Sequence, residues 1–414
     1  MNDITKNLTS EQAIALEYKH GAHNYHPLPV VLNRGEGVFV WDVEGNKYYD
    51  FLSAYSAVNQ GHCHPRIINK LTEQAKTLTL TSRAFYNDTL GVYEKFVTEY
   101  FGFDKILPMN TGAEAVETAI KISRKWGYEK KGIPENMAKI IVCQNNFHGR
   151  TVTIVSASND PVATSGFGPF TPGLISIEYN NISVLKEALK DENVAAFIVE
   201  PIQGEAGVFV PGDTYIKEAF DLCKSKNVLF VADEVQTGIA RTGKMLAVDY
   251  SEIKPDVLIL GKAISGGVMP VSAVLADNDV MSVMTPGVHG STFGGNPLAN
   301  MVAMEALKVV VDENLVDNAM RLGELFRSEM NKVIENSLLV KLVRGKGLLN
   351  AIVINDSEDS STAWDICIRL KDNGLLAKPT HGNIIRFAPP LVMTEVQILE
   401  CISIIEKTLN EFEK

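Results

Sequence analysis

The chain has 414 residues, 45% hydrophobic and 21% charged, which supplies ample core and excludes a disordered chain, a disulfide miniprotein or a fibrous repeat. Thirty-nine Lys and Arg against fifty Asp and Glu leave a net charge of −11, so the basic footprint of a dedicated nucleic-acid binder is missing. The cysteine count, five, is odd and includes no CxxC pair, which reads as reduced thiols of a cytoplasmic protein.

In chain order, the polar start MNDITKNLTSEQ resembles neither a signal nor a transit peptide, and no apolar run approaches the ~20 residues of a membrane span. The expectation is a cytoplasmic protein with no membrane partner. Gly37–Asp42 and Lys47–Phe51 flank Val43-Glu44-Gly45-Asn46 and predict a hairpin. A strand over Lys105–Met109 leads into a helix over Ala113–Lys125. Continuous Val- and Ile-rich runs follow at Lys139–Cys143, Ala195–Val199, Val228–Ala232, Val257–Leu260 and Val271–Ala276. Runs without alternation suit strands buried on both faces of a mainly parallel sheet.

Helical patterns at Val184–Leu189 and Thr214–Lys226 lie between these runs, so an α/β layer sandwich is expected, with ligands at the carboxyl ends of the strands. After Pro297 the sequence predicts helices over Leu298–Asp312 and Leu315–Glu335, strands over Gly347–Ile354 and Asn383–Phe387, and a last helix over Thr394–Phe412. The expected division assigns residues 1–60 and 311–414 to a small α+β domain built from both termini, and residues 61–310 to a large domain.

Two residues carry the first chemical signal. An apolar strand runs straight into Lys262 and then into Ala-Ile-Ser-Gly-Gly267. A lysine at the mouth of a buried strand loses solvation, its pKa falls, and the neutral amine attacks carbonyls. The plainer reading is a lysine that snorkels out of a strand end. Asp233 closes the run Val228-Leu-Phe-Val-Ala-Asp233, where a carboxylate can keep a cationic ring nitrogen protonated or simply cap a helix. A lysine that attaches a carbonyl cofactor and an aspartate facing a pyridinium are together the signature of pyridoxal phosphate (PLP).

The supporting parts are in the same chain. Asn110-Thr111-Gly112-Ala113 opens a helix whose free N–H groups suit a phosphate. Phe147 and Arg150, in Asn145-Asn-Phe147-His148-Gly149-Arg150, offer a ring face and a carboxylate fork. Each is common singly; the combination is specific. A rival reading, a nucleotide-binding α/β protein, rests on Gly238–Lys244, which has the GxxxxGK spacing but is followed by Met245 where Ser or Thr must hold Mg²⁺. Gly61-His62-Cys63-His64-Pro65 reads as a structured turn, and His20, His23 and His26 lie in a pattern broken by Gly21, Asn24 and Pro27, so no metal site is expected.

Taken in order, Asn110-Thr-Gly112-Ala113, Phe147-His-Gly-Arg150, Glu200-Pro-Ile-Gln203-Gly-Glu205, Asp233-Glu-Val-Gln236-Thr-Gly, Gly261-Lys262 and Gly290-Ser-Thr292-Phe-Gly-Gly-Asn-Pro297 resemble the class III (subgroup II) aminotransferases of PLP fold-type I, across nearly the whole chain. Within that class, Gly21-Ala-His-Asn-Tyr25-His-Pro, Phe51-Leu-Ser-Ala-Tyr55 and Ile385-Arg386-Phe-Ala-Pro-Pro390 are similar to the ornithine δ-aminotransferases. The resemblance implies an aspartate-aminotransferase-like large domain with a mainly parallel central sheet, plus the small α+β domain. It implies that Lys262 binds PLP covalently and then moves the proton, that Asp233 pairs with the ring nitrogen, and that Gln236 lies near the phenolic oxygen. Phe147 would stack on the ring, Gly112 and Ala113 would hold the phosphate through their backbone, and Glu200 would support Asp233 and the cofactor. Thr292 would reach the partner subunit's phosphate, making a homodimer part of the active site.

Substrates follow from the same resemblance. L-Ornithine would react at its δ-amine while Tyr25 and Arg150 hold its α-carboxylate and Tyr55 lines the pocket. Arg386 would clamp 2-oxoglutarate, and Glu205 would mask that arginine while ornithine reacts, in a ping-pong cycle. The product, glutamate 5-semialdehyde, would cyclise to pyrroline-5-carboxylate. N-acetylornithine and 4-aminobutyrate aminotransferases share the lysine, aspartate and phosphate motifs; Tyr25 in its setting weighs against them. Met269 and Phe293 stand where the family commonly has an aromatic and a tyrosine.

Overall fold

Continuous apolar runs do become a sheet covered on both faces. The computed structural model describes residues 8–335 and 337–412; residues 1–7, 336 and 413–414, which include the outer ends of the expected terminal segments, lie outside it. Strands β1 (Leu32–Glu36), β2 (Phe39–Asp42) and β3 (Lys47–Asp50) come first, then β4 (Lys105–Met109), β5 (Lys139–Cys143), β6 (Leu174–Ile177), β7 (Val194–Val199), β8 (Leu229–Asp233), β9 (Val257–Leu260) and β10 (Ser272–Ala276). The last seven form one sheet in the order β4-β10-β9-β8-β7-β5-β6. Pairing is parallel from β6 through β9, whereas β10 runs antiparallel to both β9 and β4.

Alternate residues of these strands feed two separate cores, as a period of two requires. Ile140, Val142, Ile198, Val231 and Ile259 join Ala115, Val116, Ala119 and Ile122 of the helix Gly112–Trp126. Ile141, Phe197, Val199, Phe230 and Leu258 join Val302, Ala306, Leu307 and Val310 of the helix Pro297–Asp312 on the other face.

The C-terminal strands are β11 (Val340–Lys346), β12 (Leu349–Ile354), β13 (Leu375–Leu376), β14 (Lys378–Thr380) and β15 (Ile384–Phe387). Four of them make an antiparallel sheet, β11-β12-β15-β14. The fifth, β13, pairs in parallel with β3, so the N-terminal hairpin shares a sheet with the end of the chain. The hairpin forms as expected, its turn held by Asp42, which accepts from the Asn46 N–H (2.7 Å) and the Tyr48 hydroxyl (2.7 Å).

A fully buried arginine ties these parts together. Arg241 donates to Asn59 Oδ1 (2.5 and 3.1 Å), to the Leu348 carbonyl (3.0 Å) and to the Pro389 carbonyl (2.6 Å). Burial draws its pKa down to about 9, which leaves it protonated at neutral pH. Its loop is therefore internal packing. A Cβ added at Gly243, whose φ is +85°, would lie 2.9 Å from Met320 Cα, so Gly238–Lys244 has no room to cradle a nucleotide phosphate. The histidines likewise have separate partners: His62 pairs with Asp50 (2.7 Å), His64 with Glu313 (2.8 Å), and His26 packs on Trp364 at 4.4 Å.

The segment Ser53–Ser56 is a surprise. All four residues have positive φ, from +46° to +71°, forming a left-handed turn without any glycine. Each such residue costs about 1–2 kcal/mol. Asp50 Oδ1 starts the turn by accepting from the N–H groups of Leu52 (2.8 Å) and Ser53 (2.9 Å), and the Ser53 carbonyl closes it by accepting from Ala57 N–H (2.8 Å).

Candidate active site

Asp233 ends β8, Glu200 and Lys262 follow the carboxyl ends of β7 and β9, and the loops after β4 and β5 bring Gly112 and Phe147 to the same edge. They converge on a cavity of about 180 Å³, whose lining also includes Ala113, His148, Val235 and Gln236. Lys262 leaves its strand with φ +45°, a strained conformation for a lysine, and such strain clusters at functional sites. Burial lowers its amine pKa first and the Arg386 charge adds to this, against the opposing pull of Glu205, Asp233 and Glu200. A larger neutral fraction makes that amine a nucleophile and a base.

Asp233 is held at both oxygens. Its Oδ1 accepts from the Val235 N–H (3.1 Å), and Oδ2 pairs with His148 Nδ1 at 2.6 Å. Burial pulls the His148 imidazole down, but the bond to Asp233 and the nearby carboxylate charges outweigh it, so its pKa is raised. His148 Nε2 is buried without a partner among the described residues. Glu200 accepts the Phe147 N–H at 3.1 Å, and burial pushes its pKa up to about 8 in spite of the His148 charge. At neutral pH burial thus favours the protonated form of Glu200, next to the hydrogen-bonded Asp233–His148 pair.

The helix start expected to hold a phosphate carries a capping box. Thr111 Oγ1 accepts from Glu114 N–H (3.2 Å), and the Glu114 carboxylate accepts from the N–H groups of Asn110 (2.8 Å) and Thr111 (3.1 Å). The next two N–H groups, of Gly112 and Ala113, have no intrahelical partner and lie at the cavity wall. A Cβ at Gly112 would come within 2.9 Å of Val235 Cγ1, so only glycine allows that approach.

A second cavity of about 590 Å³ shares Phe147 and Gly149 with the first and includes Tyr25, Tyr55, Arg150, Glu205 and Lys378 in its lining. Tyr25 is 73% exposed and stands at its rim. Arg150 lies 5.2 Å from the Phe147 ring centre and 3.8 Å from Asp160. Arg386, fully buried, donates through Nη1 to Glu205 Oε2 (3.1 Å), Gln236 Oε1 (2.9 Å) and the Gly204 carbonyl (3.4 Å). Its guanidinium stacks 4.7 Å from the Tyr55 ring centre, the residue that the left-handed turn aims. Gln236 therefore lines the first cavity while its oxygen is committed to Arg386.

Not every expected residue joins this assembly. Thr292 is exposed and lines neither cavity. Conversely, sequence reasoning gave His148 no role, although it sits inside the Phe-His-Gly-Arg motif; a polar residue between an expected ring-stacking Phe and a glycine was the available signal. The donor set suits pyridoxal phosphate: an amine to attach it, a buried anion for its ring nitrogen, an aromatic face and two open N–H groups for its phosphate.

Comparison with known proteins agrees. Residues 20–409 match the family model described as aminotransferase class-III. The mitochondrial ornithine aminotransferase of Drosophila melanogaster is 64% identical over 400 residues, 97% of this chain and 92% of that protein. A crystal structure of the ornithine aminotransferase from Toxoplasma gondii superposes with a TM-score of 0.96 at 51% identity, covering 99% of this chain and 96% of its own. A structure described as the acetylornithine aminotransferase of Elizabethkingia anophelis has a TM-score of 0.91 at 64% identity, covering 98% of this chain and all of its own.

Proposed function

The chain belongs to the class-III aminotransferase family, whose members depend on pyridoxal phosphate, and from that premise we propose that it transfers the δ-amino group of L-ornithine to 2-oxoglutarate. The products are L-glutamate and glutamate 5-semialdehyde, which cyclises to pyrroline-5-carboxylate. One observation carries the choice of substrate: the buried Arg386 is neutralised by Glu205, which lines the cavity that Tyr25 and Arg150 also line. A bare guanidinium beside the cofactor would draw in the ornithine carboxylate. With Arg386 covered, that carboxylate goes to Arg150 and Tyr25, and the δ-amine faces Lys262.

Bound pyridoxal phosphate supplies an electron sink for the carbon that loses its proton. Lys262, with its lowered pKa, takes the proton from that carbon and returns it on the far side of the transfer. Asp233, oriented by His148 and Val235 N–H, keeps a ring nitrogen charged. In the second half of the cycle Glu205 leaves Arg386, which then holds 2-oxoglutarate. We read Thr292, exposed on its loop beside the 56%-exposed Phe293, as a phosphate contact supplied to a partner subunit in a homodimer. The five free thiols fit a reducing compartment such as the cytoplasm. Among the described residues, no helix is long and apolar enough to cross a membrane.

The similarity to a protein described as an acetylornithine aminotransferase favours one second reading, with N-acetylornithine as the amino donor. Donor profiling with 2-oxoglutarate as acceptor separates them, with pyrroline-5-carboxylate trapped by o-aminobenzaldehyde. Ornithine is expected to be the best donor. Turnover of N-acetylornithine with none of ornithine would overturn the choice. Borohydride should fix the cofactor to Lys262, and a colourless protein with no such label would remove the chemistry altogether.

A further inference from the structure

Glu205 has to leave Arg386 once in every cycle of the function proposed above, and the fold supplies a second cation at that point. In the antiparallel pair β14–β15, Lys378 is the register partner of Arg386. Residues directly opposite across such a pair project from the same face, with Cβ atoms about 4.5–5.5 Å apart. Two like charges so placed repel unless an anion lies near both. Glu205 is that anion. Its side chain pairs with Arg386, and its backbone carbonyl accepts the Thr380 hydroxyl, two positions along β14 on the face that carries Lys378.

Lys378 is half-buried in the lining of the substrate cavity and forms no ion pair within 4.0 Å among the described residues. Burial lowers its pKa, and the Glu205 charge is the leading opposing influence. We propose that Lys378 is the second counter-ion of Glu205: when a dicarboxylate takes Arg386, the Glu205 carboxylate turns to the Lys378 ammonium. The site then exchanges one ion pair for another. Without that exchange, each visit of the dicarboxylate would strand a carboxylate in a partly dry cavity, and an uncompensated buried charge is costly.

The inference rests on the transaminase reading, so its test must tell the two apart. Glutarate is a five-carbon dicarboxylate with no keto group, and its affinity for the holoenzyme can be measured by calorimetry without turnover. Lys378→Met should weaken glutarate about tenfold, and Lys378→Arg should restore it to within about threefold. In a Glu205→Ala background there is no carboxylate to rehouse, so adding Lys378→Met should cost threefold or less. Equal losses in both backgrounds would mean that Lys378 touches the dicarboxylate itself, and no loss in either would mean that it is idle; both overturn the proposal alone. A holoenzyme that binds no glutarate at all would overturn the proposal together with the reading beneath it.

Discussion

Replacing Glu200 by glutamine tests whether the pocket stores a protonated acid. Its pKa in the fold, about 8, lies above the 4.5 of an unperturbed glutamate, because burial disfavours the charge. Folding therefore favours the protonated form; the stability this brings is complete below about pH 4.5 and is lost as pH rises through about 8. At 1.36 kcal/mol per pKa unit, linkage over this range makes the Glu200 share of stability fall by roughly 3 kcal/mol between pH 5 and pH 8. Glutamine keeps an oxygen for the Phe147 N–H and cannot ionise, so that share should disappear. The measurement is urea unfolding of the cofactor-free wild type and Glu200→Gln at pH 5 and pH 8. The wild type should lose roughly 3 kcal/mol more than the variant over that interval. Titrating groups that do not feel the Glu200 charge, including the buried Glu234, contribute equally to both proteins and cancel. Parallel pH profiles would refute the claim that Glu200 enters the fold neutral.

Three further outcomes follow from the geometry. Arg241→Met strands Asn59 Oδ1 and the carbonyls of Leu348 and Pro389, so unfolding free energy should drop by about 3–5 kcal/mol, seen as a large fall in thermal midpoint. Ala54→Gly releases one residue of the left-handed turn (φ +46°) and should stabilise by about 0.5–1 kcal/mol; a loss would mean that the turn is not strained. Tyr25→Phe removes a donor from the rim proposed to hold the ornithine carboxylate, and should cut kcat/KM for ornithine about tenfold relative to 4-aminobutyrate. An unchanged ratio would remove Tyr25 from the argument for ornithine.

The sequence exposed those parts of the molecule whose physics is local. Val257–Leu260 and Lys139–Cys143 announce buried strands because neither face needs a polar residue, and the helix Gly112–Trp126 carries its capping box within five consecutive residues. What stayed hidden depends on distant partners. β13 is two residues long and exists because β3 lies beside it. β6 is a four-residue edge strand paired only with β5, too short to show a period. The left-handed turn contradicts the preferences of Ser, Ala and Tyr and is imposed by Asp50 and its surroundings. His148 acquires its role from Asp233, 85 residues away, a pairing that no periodicity reveals.

The distribution of the arginines has a consequence for biosynthesis. Lys262, Asp233 and the helix-start amides all precede residue 300, yet Arg386 and the Pro389 carbonyl that anchors Arg241 come from the last thirty residues. A ribosome that has released only the central sheet has made the residues proposed to grip the vitamin, but neither the arginine proposed to sort carboxylates nor the carbonyl that anchors Arg241. On that reading the nascent chain lacks its carboxylate-sorting arginine until translation nears residue 386, and truncation just before β15 would remove both the strand between β12 and β14 and the Pro389 anchor of Arg241.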